Sequence, residues 1–281
     1  MSVSRRNMLK LGAGAAAMYV LPANLIGAQN EMSKKIPIGL QLYSVRGECE
    51  KNLPRVLAAV SKMGYKGVEF AGYYGRDAKP LRTLLDDNGL VCCGTHTGLE
   101  TLTGDNLKKT VEFHKILGNK FLICPYIPED RFATVEKCKQ LGAFFSEIAQ
   151  KVKADGMKVG YHAHGGDFKK IGDETHWDLF FSNTSEEVVM QLDTDNCMGG
   201  GGDPYAVLKK FPGRAVTIHL KEHGGKDGAP IGEGEVKWPE IFELCEKPGK
   251  TEWYIVEHES GSRPLESVKE CIDGLRKMGK C

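Results

Sequence analysis

Apolar runs of four to seven residues recur along the chain, each followed by a longer stretch whose apolar positions repeat every three or four residues. The runs are 36–42, 67–70, 90–95, 121–124, 158–162, 188–192, 215–220 and 253–257, and their length predicts strands. Between them the spacing predicts helices. In 53–63, Leu53, Val56, Leu57, Val60 and Met63 share one face, and Gly64 stands where a C-cap residue would end the helix. Segment 134–153 spaces Val135, Cys138, Leu141, Phe145, Ile148 and Val152 in the same way, and 264–279 does so with Leu265, Val268, Ile272 and Leu275. Eight strands, each with a following helix, predict an α/β protein folded as a single (β/α)8 barrel, a TIM barrel. The alternative is an open doubly wound sheet, which usually carries a glycine-rich phosphate turn after its first strand. This chain reads Tyr43-Ser44-Val45-Arg46 there.

Residues 1–28 follow another pattern. Paired Arg5 and Arg6 precede an apolar, Ala- and Gly-rich stretch from Leu11 to Ile26, with Pro22 inside it and small residues Gly27 and Ala28 after it. This resembles a twin-arginine export signal, with Met8 where the usual pattern prefers Phe. The alternative is an uncut membrane anchor, for which the segment is short and weakly apolar. The expectation is an exported, periplasmic protein whose mature part, 29–281, has about the length of one barrel and no membrane span.

The 38 Lys and Arg nearly balance 37 Asp and Glu, for a formal net charge of +1 in 281 residues. Without a basic excess to neutralise phosphates, nucleic acid is not an expected partner. Hydrophobic residues at 41% and charged ones at 27% exclude a disordered chain and a polytopic membrane protein. Glycine is abundant, 34 residues, which implies many tight turns or backbone lying close to other atoms. The nine cysteines include no CxxC pair, and Cys92, Cys93 and Cys124 fall within apolar runs, so they read as packing.

In a barrel of this kind the βα loops converge at the C-terminal strand ends, and chemistry collects there. Those ends carry Gln41 and Tyr43, Glu69, His96, Pro125 and Tyr126, His162 and His164, Asp193 and Asn196, His219 and Lys221, and Glu257 and Glu259. His162 and His164 are two residues apart, so both point to one face of their strand. With Asp193, His219 and Glu257 they offer a mixed nitrogen and oxygen ligand set from four consecutive strands. Such a set suits one divalent ion, Mn, Zn, Co, Fe or Mg, with positions open to substrate oxygens. Spacing leaves open whether His162 or His164 is the ligand. Each residue alone reads as an ordinary strand-end side chain; their coincidence on four strands carries the inference.

These residues also carry a resemblance. Ile38-Gly39-Leu40-Gln41-Leu42-Tyr43-Ser44-Val45-Arg46, Gly67-Val68-Glu69, Gly94-Thr95-His96 and Tyr161-His162-Ala163-His164-Gly165-Gly166-Asp167-Phe168 appear in an order similar to the sugar phosphate isomerase/epimerase superfamily, the xylose-isomerase-like TIM barrels. Leu192-Asp193-Thr194, Ile218-His219-Leu220-Lys221 and Ile231-Gly232-Glu233-Gly234-Glu235-Val236 extend the match over nearly all of 36–279. The resemblance implies metal ligation by the strand-five residue, Asp193, His219 and Glu257, and a small carbohydrate as substrate. Family epimerases usually have Glu at the strand-five position, where this chain has His162. The histidine version is similar to myo-inosose dehydratase-like and keto-sugar lyase branches, which eliminate rather than epimerise.

The implied chemistry is removal of a proton next to a carbonyl, with the ion as Lewis acid. The second histidine of the pair, Glu69 or His96 would be the base; Glu257 is read first as a ligand. Lys221 would steady a developing oxyanion, and Tyr43, Glu69, His96 and Asn196 would bind substrate. Two rivals remain. An endonuclease-IV-like repair enzyme would need a histidine where Asn196 stands, and a non-catalytic sugar-binding barrel would keep the fold without turnover. A homo-oligomer is compatible with either reading.

Overall fold

The computed structural model describes residues 35–281 except 227, 249, 260 and 261; the expected export segment, 1–28, lies outside the described residues. Eight strands form the barrel: β1 (Ile38–Gln41), β2 (Gly67–Phe70), β3 (Val91–His96), β4 (Phe121–Cys124), β5 (Lys158–His162), β6 (Val189–Gln191), β7 (Thr217–Leu220) and β8 (Trp253–Val256). All neighbours are parallel, in the order β6-β5-β4-β3-β2-β1-β8-β7. The remaining seam, between β6 and β7, is drawn shut by the His219 N–H donating to the Leu192 carbonyl (2.8 Å) and by a parallel bridge between Asp193 and His219. This nearly complete closure removes the open-sheet alternative.

The helices α1 (Arg46–Met63), α2 (Ala78–Asp87), α3 (Gly104–Leu117), α4 (Val135–Lys153), α5 (His176–Ser182), α6 (Thr194–Gly199), α7 (Pro204–Lys210), α8 (Trp238–Glu246) and α9 (Pro264–Lys277) connect the strands. The connection from β5 to α5 adds a minor hairpin of Lys170–Ile171 and Glu174–Thr175, and two short helices follow β6. Helix α4 illustrates the packing. Cys138, Leu141, Phe145, Ile148 and Val152 are buried on one face, each large side chain contributing about 1.5–3 kcal/mol of transfer free energy.

Helix α1 begins earlier than its apolar spacing predicts. Asn52 is non-helical (φ −162°, ψ 82°), and its Oδ1 accepts from Arg55 N–H (3.1 Å), so residues 53–63 form a separately capped segment behind a kink. Pro54 is well placed just after that cap, since its missing N–H would be unpaired there. Gly64 ends the helix in the left-handed region (φ +106°), as the sequence predicts.

Inside the barrel, side chains alternate in layers. Phe121, Ile123 and Val189 pack together with Trp253. Glycines make room for that indole: a Cβ on Gly67 would lie 3.1 Å from it and 2.9 Å from the Val91 carbonyl oxygen. Two residues further along β1, β2, β5, β6 and β7 stand Gln41, Glu69, His162, Gln191 and His219, all buried. The barrel is therefore apolar at its base and polar towards the C-terminal strand ends. Eight cysteines are buried as packing residues and free of disulfides; Cys281 is the exposed exception.

Candidate active site and metal centre

Four of the expected ligands converge at the C-terminal strand ends. His162 closes β5, Asp193 follows β6, His219 lies in β7, and Glu257 follows β8. One ligand atom from each falls within 4.8 Å of all the others, and the four residues are at most 5% exposed. The strand-closing bridge between Asp193 and His219 fixes two of them directly against each other.

Asp193 divides its carboxylate between two tasks. Oδ1 caps α6 by accepting from Asn196 N–H (2.7 Å), while Oδ2 is buried without a hydrogen-bond partner among the described residues. Burial pushes the carboxyl up to about 7, and Glu257 adds to the rise against the opposing pull of Lys221 and His219. His219 is held between two carboxylates, Nδ1 at 2.6 Å from Glu257 Oε2 and Nε2 at 2.6 Å from Glu69 Oε2. Burial disfavours its charged form, but Glu69 and Glu257 prevail and raise it to about 10. Burial also works against ionised Glu257, and contact with His219 more than offsets it, leaving its carboxyl below the usual range. His162 is pushed well below its ordinary value by burial and then by His219 and His96, so it is neutral and able to bind a cation. An orphaned carboxylate oxygen, a neutral imidazole and a second carboxylate beside a charged imidazole fit one divalent cation, whose entry would displace the proton from His219 Nδ1.

The alternative ligand, His164, is placed differently. It lies beyond the end of β5, exposed, with its ring 5.0 Å from that of His162. Asp167 holds it there: Oδ2 accepts from His164 N–H (2.7 Å) and Oδ1 from the Tyr161 hydroxyl (2.8 Å).

Glu69 corrects an expectation. It is 0% exposed, and both oxygens are engaged: Oε1 accepts from Gln191 Nε2 (2.9 Å), and Oε2 from Gln41 Nε2 (2.8 Å) and His219. It therefore lies fully buried beneath the ligands, tied to Gln191, Gln41 and His219, and does not face a substrate as a base would. Burial would raise its carboxyl, but His96 and His219 hold it far below the ordinary range. His96 stacks on His219 with ring centroids 5.5 Å apart, and its Nε2 is 3.1 Å from Gln191 Oε1. Its Nδ1 has no hydrogen bond within the described residues, and the side chain keeps 11% exposure. Asn196 donates from Nδ2 to the Ala163 carbonyl (2.9 Å), which ties α6 to the end of β5 and leaves its amide oxygen and second N–H for a ligand. Tyr43 is 42% exposed at the mouth with the Arg46 guanidinium 4.0 Å above its ring. Lys221 Nζ bonds Glu259 (2.9 Å) and lies 3.5 Å from Asp195. Burial opposes its charge, but Asp193, Glu257 and Glu259 raise it, so the ammonium persists.

Several neighbours carried no legible signal. Gln191 shares the inward face of its strand with Asp193, and that alternation was the one available clue. Asp195 pairs with His223 Nδ1 (2.7 Å) near the mouth. Glu222 organises the Ile231–Val236 run, accepting from Gly232 N–H (2.6 Å), Val236 N–H (3.1 Å) and Trp238 Nε1 (2.7 Å).

Comparison with known proteins agrees with this architecture. The chain is similar to inosose dehydratase of Serratia proteamaculans, 23% identical over 75% of this chain and 83% of that protein. A sugar phosphate isomerase/epimerase structure from Parabacteroides distasonis superposes with a TM-score of 0.75 at 27% identity, covering 87% of this chain and 98% of that one. A structure of IolI protein with a bound zinc atom superposes at 0.66 and 13% identity, covering 86% and 96%. The xylose isomerase-like TIM barrel family model matches residues 57–278, and the chain belongs to that family.

Proposed function

We propose that this protein is a divalent-metal-dependent enzyme of the isomerase, epimerase or dehydratase type, acting on a sugar, keto-sugar or inosose by proton removal next to a carbonyl, and that elimination competes with epimerisation in it. The observation that carries the reading is the buried set of His162, Asp193, His219 and Glu257 at the four consecutive C-terminal strand ends. Similarity to inosose dehydratase supports the substrate class, and the zinc-containing structural relative supports the ion. When bound, the cation would supply Lewis-acid polarisation of the substrate carbonyl.

The chain's own side chains would do the rest. His164, at the mouth beside His162, takes the proton from the carbon next to the carbonyl; burial holds its imidazole below the ordinary value against the pull of Glu257, which leaves it neutral and able to accept that proton. His96 accepts a hydrogen bond from a substrate hydroxyl at its unpaired Nδ1. The Lys221 ammonium faces negative charge developing on the substrate oxygen. With histidine in β5 at the position where family epimerases usually have glutamate, return of the proton on the opposite face loses its usual partner. Departure of a β-substituent then competes. Export to the periplasm through the Arg5–Arg6 segment is part of the same proposal.

The test is metal analysis of the purified mature protein, followed by incubation with keto-sugars and inososes in deuterated water. About one divalent ion per chain and an unsaturated product are expected. Ion-free protein with no proton exchange on any of these compounds would overturn the proposal. Rapid interconversion of ketose epimers without unsaturated product would leave an ordinary epimerase.

A further inference from the structure

The side chain of Gln191 is fully buried, and every polar atom of its amide is engaged. Nε2 donates to Glu69 Oε1 (2.9 Å) and to Thr217 Oγ1 (3.0 Å). Because an ionised carboxylate only accepts, this contact sets which end of the amide faces which way. Oε1 is then directed at two imidazoles, His162 Nδ1 and His96 Nε2, each at 3.1 Å. An amide oxygen has two lone pairs and no proton to give, so both ring nitrogens must carry hydrogen. His162, neutral in this buried setting, is thereby left with Nε2 as its unprotonated nitrogen, and the nitrogen of His96 that stays outside this network is Nδ1.

Glu69 does the complementary work on His219. Its Oε2 accepts from His219 Nε2 at 2.6 Å and is steadied by Gln41 Nε2 at 2.8 Å. The nitrogen that remains to His219 is Nδ1, the one beside Glu257. Space for this carboxylate comes from Gly94 on β3, where a Cβ would lie 2.3 Å from Glu69 Oε1. Gly94 is not in the positive-φ region, so its lack of a side chain serves that room and not a turn.

We propose that Gln191 is a positioning residue: acting together with Glu69, its amide fixes which ring nitrogen His162, His219 and His96 present to the mouth of the barrel, and so assembles the cation site before the cation arrives. This rests on the cation reading above. Removing one member of a buried polar network costs stability whatever its role, because its partners are left unsatisfied, so a loss of stability does not by itself identify a positioning residue. A positioning role has a separate signature, because partners that orient a ligand histidine are typically worth 10–100-fold in metal affinity.

The test compares wild type, Gln191→Met and Thr217→Val in the full mature chain. Thr217→Val removes an acceptor of Gln191 without touching an imidazole and serves as the control. Two quantities are read: Co²⁺ affinity by chelator competition with its visible absorption spectrum, and the His162 tautomer in ion-free protein by ¹⁵N NMR. Wild type is expected to hold His162 protonated at Nδ1. Gln191→Met should lose that tautomer and bind Co²⁺ about 10–100-fold more weakly with an altered spectrum, while Thr217→Val stays near wild type in both; the ion-free Tm should fall in Gln191→Met, because Glu69 and two imidazoles lose a buried partner, and is not the deciding quantity. Unchanged tautomer and affinity in Gln191→Met would overturn the proposal. Should wild type bind no Co²⁺, the cation reading fails by itself, and the tautomer comparison still decides the role of Gln191. If Gln191→Met does not fold, finding His162 protonated at Nε2 in wild type is the overturning result.

Discussion

Asp193→Asn should weaken ion retention and, in ion-free protein above neutral pH, make the fold more stable. The carboxyl is 0% exposed and is pushed from 3.8 to about 7, chiefly by burial. At about 1.4 kcal/mol per pH unit, that rise is a penalty of roughly 4 kcal/mol on the ionised, ion-free native state. The direction follows from proton binding. Between pH 4 and 7 the native chain holds a proton at Asp193 that the unfolded chain has released, so stability falls as pH rises through this window and levels off above it. Asparagine carries no charge to desolvate, and its side-chain oxygen keeps the α6 cap on Asn196 N–H, since Asn and Asp cap helices about equally well. The variant should therefore match wild type near pH 4 and exceed it by a few kcal/mol at pH 8 in urea denaturation after chelator treatment. Metal analysis of the untreated proteins should show the ion in wild type and little in the variant. Equal stability at both pH values, or full ion content in the variant, would refute the reasoning that this carboxylate is kept for a cation at the expense of the fold.

Other substitutions separate the remaining roles. His164→Asn should slow turnover about 10²–10⁴-fold with ion content unchanged; full activity in that variant, with loss in His96→Asn, would move the base to His96. Gly160→Ala brings a Cβ to 2.6 Å from the Val189 carbonyl oxygen and 2.8 Å from Ile123 Cδ1, and it should cost about 1–3 kcal/mol in denaturant unfolding as β4, β5 and β6 are pushed apart. Replacing Arg5 and Arg6 by Lys should leave unprocessed chain in the cytoplasm on cell fractionation, and processed protein in the periplasm would reject that export route.

The strands and most helices were legible because each buries an apolar face at its own period. Periodicity was blind where chain geometry depends on a single residue. The first turns of α1, before the Asn52 kink, bury Cys49 but carry no repeating stripe, so the pattern predicts a helix only from Leu53. The cluster of His162, Asp193, His219 and Glu257 was legible because His, Asp and Glu at strand ends have a chemical signature that does not depend on their neighbours. Glu69 has the same signature and a different role. Nothing in Gly67-Val68-Glu69 tells that its carboxylate meets Gln191 and His219, respectively 122 and 150 residues further along the chain.

That difference has a physical origin. A residue that touches an ion is selected by its own donor atoms, whereas one that orients a ligand is selected by what a closed barrel brings beside it. Gln191 shows how much of the site lies in the second category: a glutamine at the end of a short strand is unremarkable in sequence, yet its oxygen faces two imidazoles and its nitrogen faces a carboxylate. Glycine beneath polar residue on β1, β2 and β5 is the sequence trace of the same arrangement, Gly39 under Gln41, Gly67 under Glu69 and Gly160 under His162. On β1 and β2 the small lower residue lets β8 lay Trp253 across the barrel base, on β5 it admits Ile123 and Val189, and the buried polar layer is built on that floor. The fold and the site therefore depend on the same alternation, and a bulkier residue at Gly39 or Gly67 would disturb the imidazoles from below without contacting any of them.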